Sequence, residues 1–120
     1  MTQCLVVDED QAERKALSDV FRRFGFDLAE ASNADAGLTQ CRDNSPDVVV
    51  VTDRIGAHSR DFVRRIKRSS KGKPPVVIIY SSNPDTDAIG RMILDGASEC
   101  IVKPFNQDLI SLKLKQVGLL

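Results

Sequence analysis

The 120-residue chain has no tryptophan, one tyrosine, one histidine and three cysteines. Each scarcity excludes something. With His58 as the sole histidine, a zinc centre of the His/Cys kind lacks ligands. Cys4, Cys41 and Cys100 are odd in number, far apart and without a C-x-x-C pair, which suits reduced core thiols and not a disulfide framework. No apolar run approaches the ~20 residues needed to cross a bilayer. The start, MTQCLVVDED, turns acidic at Asp8, whereas a secretory signal needs a basic start and a longer apolar stretch. Seventeen basic residues balance seventeen acidic ones, which argues against nucleic acid as a partner. No glycine-rich phosphate loop follows any apolar run. The expectation is a cytoplasmic protein of one domain, residues 1–120, with no membrane segment.

What is present is alternation. Five short apolar runs occur at 4–7, 27–31, 48–51, 76–80 and 100–102. Helical spacing fills the gaps: Leu17, Val20, Phe21 and Phe24 share one face of a helix that Gly25 can end. Asn33 can cap a second helix carrying Ala34, Leu38 and Cys41. Phe62, Val63 and Ile66 anchor a third, and Ile89, Met92 and Ile93 a fourth that ends near Gly96. Leu109, Ile110, Leu114 and Val117 mark a fifth. Strand–helix alternation predicts a doubly wound α/β domain with a five-stranded parallel sheet and five helices. The unbroken β-branched runs 48–51 and 76–79 fit central strands buried on both faces.

In open α/β sheets ligands bind beyond the carboxyl ends of the strands. There this sequence places Asp8-Glu9-Asp10, Thr52-Asp53, Ser81-Ser82 and Lys103-Pro104. Two carboxylates ~4 Å apart repel by about 4 kcal/mol at an effective dielectric near 20. A hard cation relieves that repulsion, and oxygen ligands suit Mg²⁺; a lysine beside them can steady an arriving anion. Each residue singly also has a structural reading: acids start helices, serines populate loops, and a strand-end lysine is solvated.

Four segments carry a family pattern: LVVDEDQAER (5–14), GFDLAEASNADAGL (25–38), SPDVVVVTD (45–53) and DGASECIVKPF (95–105). Together they resemble the receiver domain of the bacterial two-component response regulators, similar to the small chemotaxis regulator, over essentially the whole chain. The resemblance implies a flavodoxin-like sheet of order 2-1-3-4-5. It implies Asp8 and Glu9 as holders of Mg²⁺, Asp53 as both metal ligand and acceptor of a phosphoryl group, and the backbone carbonyl of Ile55 as a further metal ligand. It also implies Lys103, before a cis-proline, as partner of the acyl phosphate and Ser81 as the switch hydroxyl. Counted from Pro46-Asp47, many relatives would place the acceptor at Thr52. Asp53 is preferred because its separation from Glu9 suits the family, the fourth strand also runs one residue longer, and threonine accepts poorly from phosphohistidine.

The chain departs from the family in three places. The acceptor is followed by Arg54-Ile55-Gly56-Ala57-His58-Ser59-Arg60-Asp61, without the family's proline, which predicts a looser connection. His58 there reads as a solvated imidazole, with a pH-sensitive or phosphate-contacting group as the sharper alternative. Arg54 meets the phosphoryl group, a partner's carboxylate, or solvent. Cys100 stands where relatives carry the aromatic of the switch, and Tyr80 either substitutes for it or serves packing. Finally, Arg60, Arg64, Arg65, Lys67, Arg68, Lys71 and Lys73 form a basic segment, read as a solvated face or as a patch for an acidic protein.

The function expected is that of a stand-alone receiver, monomeric or weakly dimeric. It takes a phosphoryl group on Asp53 from a histidine kinase or phosphotransfer protein and signals by binding a protein target on the 4-5-5 face or the 60–73 segment. The rival is a pseudo-receiver that binds partners without phosphorylation. A phosphatase is disfavoured, since the second acid such enzymes need two residues after the nucleophile is Ile55 here.

Overall fold

The β-branched runs become strands because each buries both faces. Val48, Val49, Val50 and Val51 are all 0% exposed, and full burial of one such side chain contributes about 1.5–3 kcal/mol. The computed structural model describes residues 1–57, 61–69, 72–82 and 85–120. In chain order the elements are β1 (Gln3–Val7), α1 (Gln11–Arg22), β2 (Asp27–Ala31), α2 (Ala34–Asn44), β3 (Val48–Thr52), a 3-10 helix (Asp53–Ala57), α3 (Phe62–Ser69), β4 (Val76–Ser81), α4 (Thr86–Leu94), β5 (Glu99–Val102) and α5 (Gln107–Gln116). All pairs are parallel, in the order β2-β1-β3-β4-β5. This is the expected doubly wound sheet, and Lys103-Pro104 is a cis peptide.

Side-chain alternation divides the core in two. Leu5, Val7, Val49, Val51, Val77 and Ile79 pack toward Leu38 of α2, Phe62 and Ile66 of α3 and Met92 of α4. Cys4, Val6, Val50, Ile78 and Tyr80 pack toward Leu17 and Phe21 of α1 and Ile110 and Leu114 of α5. Helix starts are set by short polar caps: Asp10, Asn33, Asp85 and Asn106 each accept from an amide in the first turn. Glycine follows the ends of three helices where φ turns positive, Gly25 at 85°, Gly96 at 121° and Gly118 at 81°.

The segment after β3 corrects one expectation. Asp53–Ala57 winds into a 3-10 helix, not an open loop, because Ile55 is drawn into the α2–α3 core at 2% exposure. The expectation for His58 lies outside the described residues, as do Arg60 and Lys71 of the basic segment. Of the rest, Arg64 pairs with Asp95 at 2.6 Å, and Lys67 donates to the Pro75 carbonyl at 2.7 Å. Arg65, Arg68 and Lys73 remain exposed. Two of the basic side chains therefore hold α3 to its neighbours.

Candidate functional site

Sheet register decides what meets at the carboxyl rim. Val7 pairs with Val51 and Thr52 with Tyr80. Asp8, next after Val7, is thus level with Thr52 and Tyr80, and alternation puts all three on the α1–α5 side. Lys103, two beyond Ile101 of that same core, shares the parity. Ser81 takes the opposite parity, one past Tyr80, and pairs with Val102. Asp53 has left the strand. It lines a cleft of about 910 Å³ with Arg54, Asp61, Arg64, Asp85 and Arg91, beside α4. A one-residue step in a strand changes the face a side chain serves, and Asp53 and Ser81 have both taken that step.

Asp8 is the centre of what the structure does bring together. Its side chain is 1% exposed. The Tyr80 hydroxyl donates to Oδ2, and the Asp10 amide donates to Oδ1 at 2.9 Å. Arg54 Nη2 reaches both oxygens, at 3.3 and 3.2 Å, and also Glu13 Oε2 at 3.2 Å. Glu13 Oε1 accepts from Lys103 Nζ. The result is one chain of contacts, Tyr80–Asp8–Arg54–Glu13–Lys103, with two negative and two positive side chains. Arg14 closes it from behind, donating to the Asp8 carbonyl at 2.8 Å.

The electrostatics follow. Burial works against the Arg54 charge, but Asp8 and Glu13 outweigh it and hold the guanidinium above its ordinary range. The Tyr80 phenol is pushed well up by burial and by its bond to the Asp8 carboxylate, so it stays a donor. Arg54 is 52% exposed. An ion pair with so solvated a partner is worth only about 0.2–1 kcal/mol, so this arm can leave at little cost except that it strands a buried carboxylate.

The expected residues are therefore distributed as follows. Asp8 is buried in the network; Glu9 is exposed beside it. Asp53 is half-buried at the cleft, within 3.5 Å of the Thr52 hydroxyl. Lys103 is held by Glu13. Ile55, whose carbonyl the family pattern assigns to the metal, is the third residue of the 3-10 helix. Cys100 is half-buried against the α2–α4 core, its thiol pushed up by burial and by the charges of Asp53 and Glu99. Tyr80 is neither surface nor simple packing: its ring is core, its hydroxyl is site. Glu13 was missed from sequence for a physical reason. Asp10-x-x-Glu13 reads as a capping box, in which Glu13 would fold back onto the cap amide. The Asp8 carboxylate takes that amide instead, leaving Glu13 to reach outward.

Residues 4–115 match the response regulator receiver domain, and the chain belongs to that family. It is 27% identical over 118 residues to the transcriptional regulatory protein AfsQ1 of Streptomyces coelicolor, covering 98% of this chain and 51% of that protein. It is 31% identical over 101 residues to the DNA-binding response regulator MtrA of Mycolicibacterium paratuberculosis, covering 84% and 44%. The chain thus spans about half the length of these relatives. A response regulator from Thermotoga maritima superimposes with a TM-score of 0.83 at 27% identity, over 98% of this chain and 97% of that one. One from Burkholderia pseudomallei, crystallised with a phosphorylated aspartic acid, a calcium ion and citrate, shares the fold at TM-score 0.82 and 18% identity, over 95% and 66%. Receiver domains are signalling domains, generally not enzymes, that interact with histidine kinases and downstream targets. No helix among the described residues is long and apolar enough to cross a membrane.

The family binds a divalent metal ion, and the donor set here does not fit one as arranged. Among the described residues no three or more carboxylate, histidine or cysteine side chains converge as metal ligands. Both Asp8 oxygens already have donors, and one of them is the Arg54 guanidinium, a cation standing on a carboxylate that the ion would need.

Proposed function

We propose that this receiver works as a protein-docking module whose contacts do not depend on phosphorylation, the pseudo-receiver alternative raised by the sequence. One observation carries it: Arg54 and Lys103, the cations of the rim, are both spent on Asp8 and Glu13. A phosphoryl group arriving at the rim would find no uncommitted partner in this network, and the strand-end position level with Asp8 is a hydroxyl, Thr52. Docking surface is available on the α4–β5–α5 side, where Leu94 is 87%, Leu112 51%, Ile93 48% and Val102 38% exposed.

A second reading is favoured by the placement of Asp53. Half-buried at the mouth of the cleft and flanked by Arg54, Arg64 and Arg91, its carboxylate is open to a phosphohistidine of a kinase or phosphotransfer protein. In that step the P–N bond breaks as a P–O bond forms on an Asp53 oxygen, the imidazole leaving with its electron pair. The test separates the two. The protein is incubated with Mg²⁺ and acetyl phosphate, or with beryllofluoride, and followed by intact mass and amide spectra. The docking reading expects no adduct; an adduct on the wild type that Asp53→Asn loses overturns it in favour of phosphoryl acceptance.

A further inference from the structure

A guanidinium and a divalent ion ask the same thing of a carboxylate pair, and at this rim only one can have it. Asp8 is buried, and both its oxygens already accept from donors, Arg54 among them. Glu13, the other carboxylate in contact, is bridged by Arg54 on one oxygen and Lys103 on the other. The four charges in contact already cancel. A divalent ion arriving with Arg54 in place meets the guanidinium that already holds both Asp8 oxygens; with Arg54 gone, Asp8 keeps only the neutral Tyr80 hydroxyl and Asp10 amide as donors and lacks a counter-charge. A buried charge is costly without a counter-charge even where neutral donors remain, so the vacated Asp8 favours an incoming cation.

We propose that Arg54, held between Asp8 and Glu13, is a built-in cation that keeps the divalent-metal site of this receiver shut by competing with the ion for Asp8. The arm comes from the 3-10 helix that follows β3, whose second residue reaches the first strand's acid. The inference deepens the docking reading and rests on it. Its test uses no phosphodonor and reads metal affinity at Asp8, so its failure is distinguishable from a failure of the docking reading, which is read from an adduct on Asp53.

The chain supplies its own reporter. Tyr80 is the single tyrosine, no tryptophan is present, and its hydroxyl donates to Asp8. Any ion that takes Asp8 alters tyrosine emission. Mg²⁺ and Mn²⁺ are titrated by calorimetry and by that emission into wild type, Arg54→Ala, Arg54→Gln and Arg54→Lys, with folding checked by circular dichroism. The neutral variants are expected to bind about two- to tenfold more tightly, equivalent to about 0.4–1.4 kcal/mol. Arg54→Lys keeps the charge and stays close to wild type. Asp8→Asn added to Arg54→Gln removes the gain. Wild-type binding as tight as that of the neutral variants, an equal gain in Arg54→Lys, or a gain that survives Asp8→Asn each overturns the proposal.

Discussion

Replacing Tyr80 by phenylalanine removes one oxygen and leaves the ring where it packs, among the β-strands and α5. What is lost is the phenol's bond to Asp8, a carboxylate only 1% exposed. Hydrogen bonds to charged groups contribute about 1.5–3 kcal/mol, and a buried acceptor deprived of its donor bears the full desolvation cost. Asp8 keeps the Asp10 amide at 2.9 Å and Arg54 at 3.2 Å, so the loss falls at the low end. The expectation for Tyr80→Phe is thus about 1.5–2 kcal/mol. A domain of 120 residues unfolds with an entropy of about 0.25 kcal/mol/K, which converts that loss into a fall in Tm of about 6–8 °C.

Urea and thermal unfolding followed by circular dichroism measure it, with an unchanged urea slope confirming that the denatured state is not the cause. A double-mutant cycle with Asp8→Asn isolates the pair; a coupling above about 0.5 kcal/mol is expected for groups in contact. Zero coupling, or a Tyr80→Phe protein as stable as wild type, would falsify the account of the rim. Titration gives an independent check. Burial first, then Asp8, raises the phenol above its ordinary 10.0. A raised folded value means the contribution is fully present below pH 10.0 and is lost as pH climbs above it. Phenolate absorbance is therefore expected to appear only together with alkaline unfolding, and a free titration near pH 10.0 in the folded protein contradicts it.

Three further outcomes rest on backbone conformation and burial. Ser45 ends α2 at φ 46° and ψ 64°, a left-handed conformation that costs an L-residue about 1–2 kcal/mol. Ser45→Gly relieves it at a denatured-state cost of about 0.4–1 kcal/mol, for a net gain near 0.5–1 kcal/mol in urea unfolding. Phe62→Ala, at 1% exposure in the α2–α3 core, is expected to lose about 3–5 kcal/mol on the same assay. Burial pushes Cys4 up to about 12 and Cys41 up to about 11 from 9.0. Their protonated forms favour the fold below pH 9.0, and that support is lost as pH rises through those values. A disulfide reagent at neutral pH therefore modifies both only on unfolding, whereas rapid reaction of all three thiols refutes their burial.

The scaffold was legible because its signals are local and redundant. Four consecutive valines, an asparagine cap at Asn33 and left-handed glycines at 25 and 96 each fix one element, and alternation of elements then fixes the sheet. The rim was legible only in its inventory. Strand ends and the family resemblance could name Asp8, Asp53, Ser81 and Lys103, with Tyr80 beside Ser81, but with a side-chain period of two a single residue decides which face each serves. Thr52 and Tyr80, not Asp53 and Ser81, proved level with Asp8. Nor could the counter-charge be read. A carboxylate's place is set by the strand that carries it, whereas a guanidinium on a long arm settles wherever unpaired negative charge is buried within its reach. Arg54 looked like a loop cation because sequence shows where an arginine is attached, and only the fold shows that Asp8 and Glu13 lie at the other end. Which positive charge a receiver's acidic rim receives, an ion from solution or an arm of its own, is accordingly a tertiary property. If Arg54 acts as proposed, one substitution in the segment after β3 is expected to change it while every carboxylate stays in place.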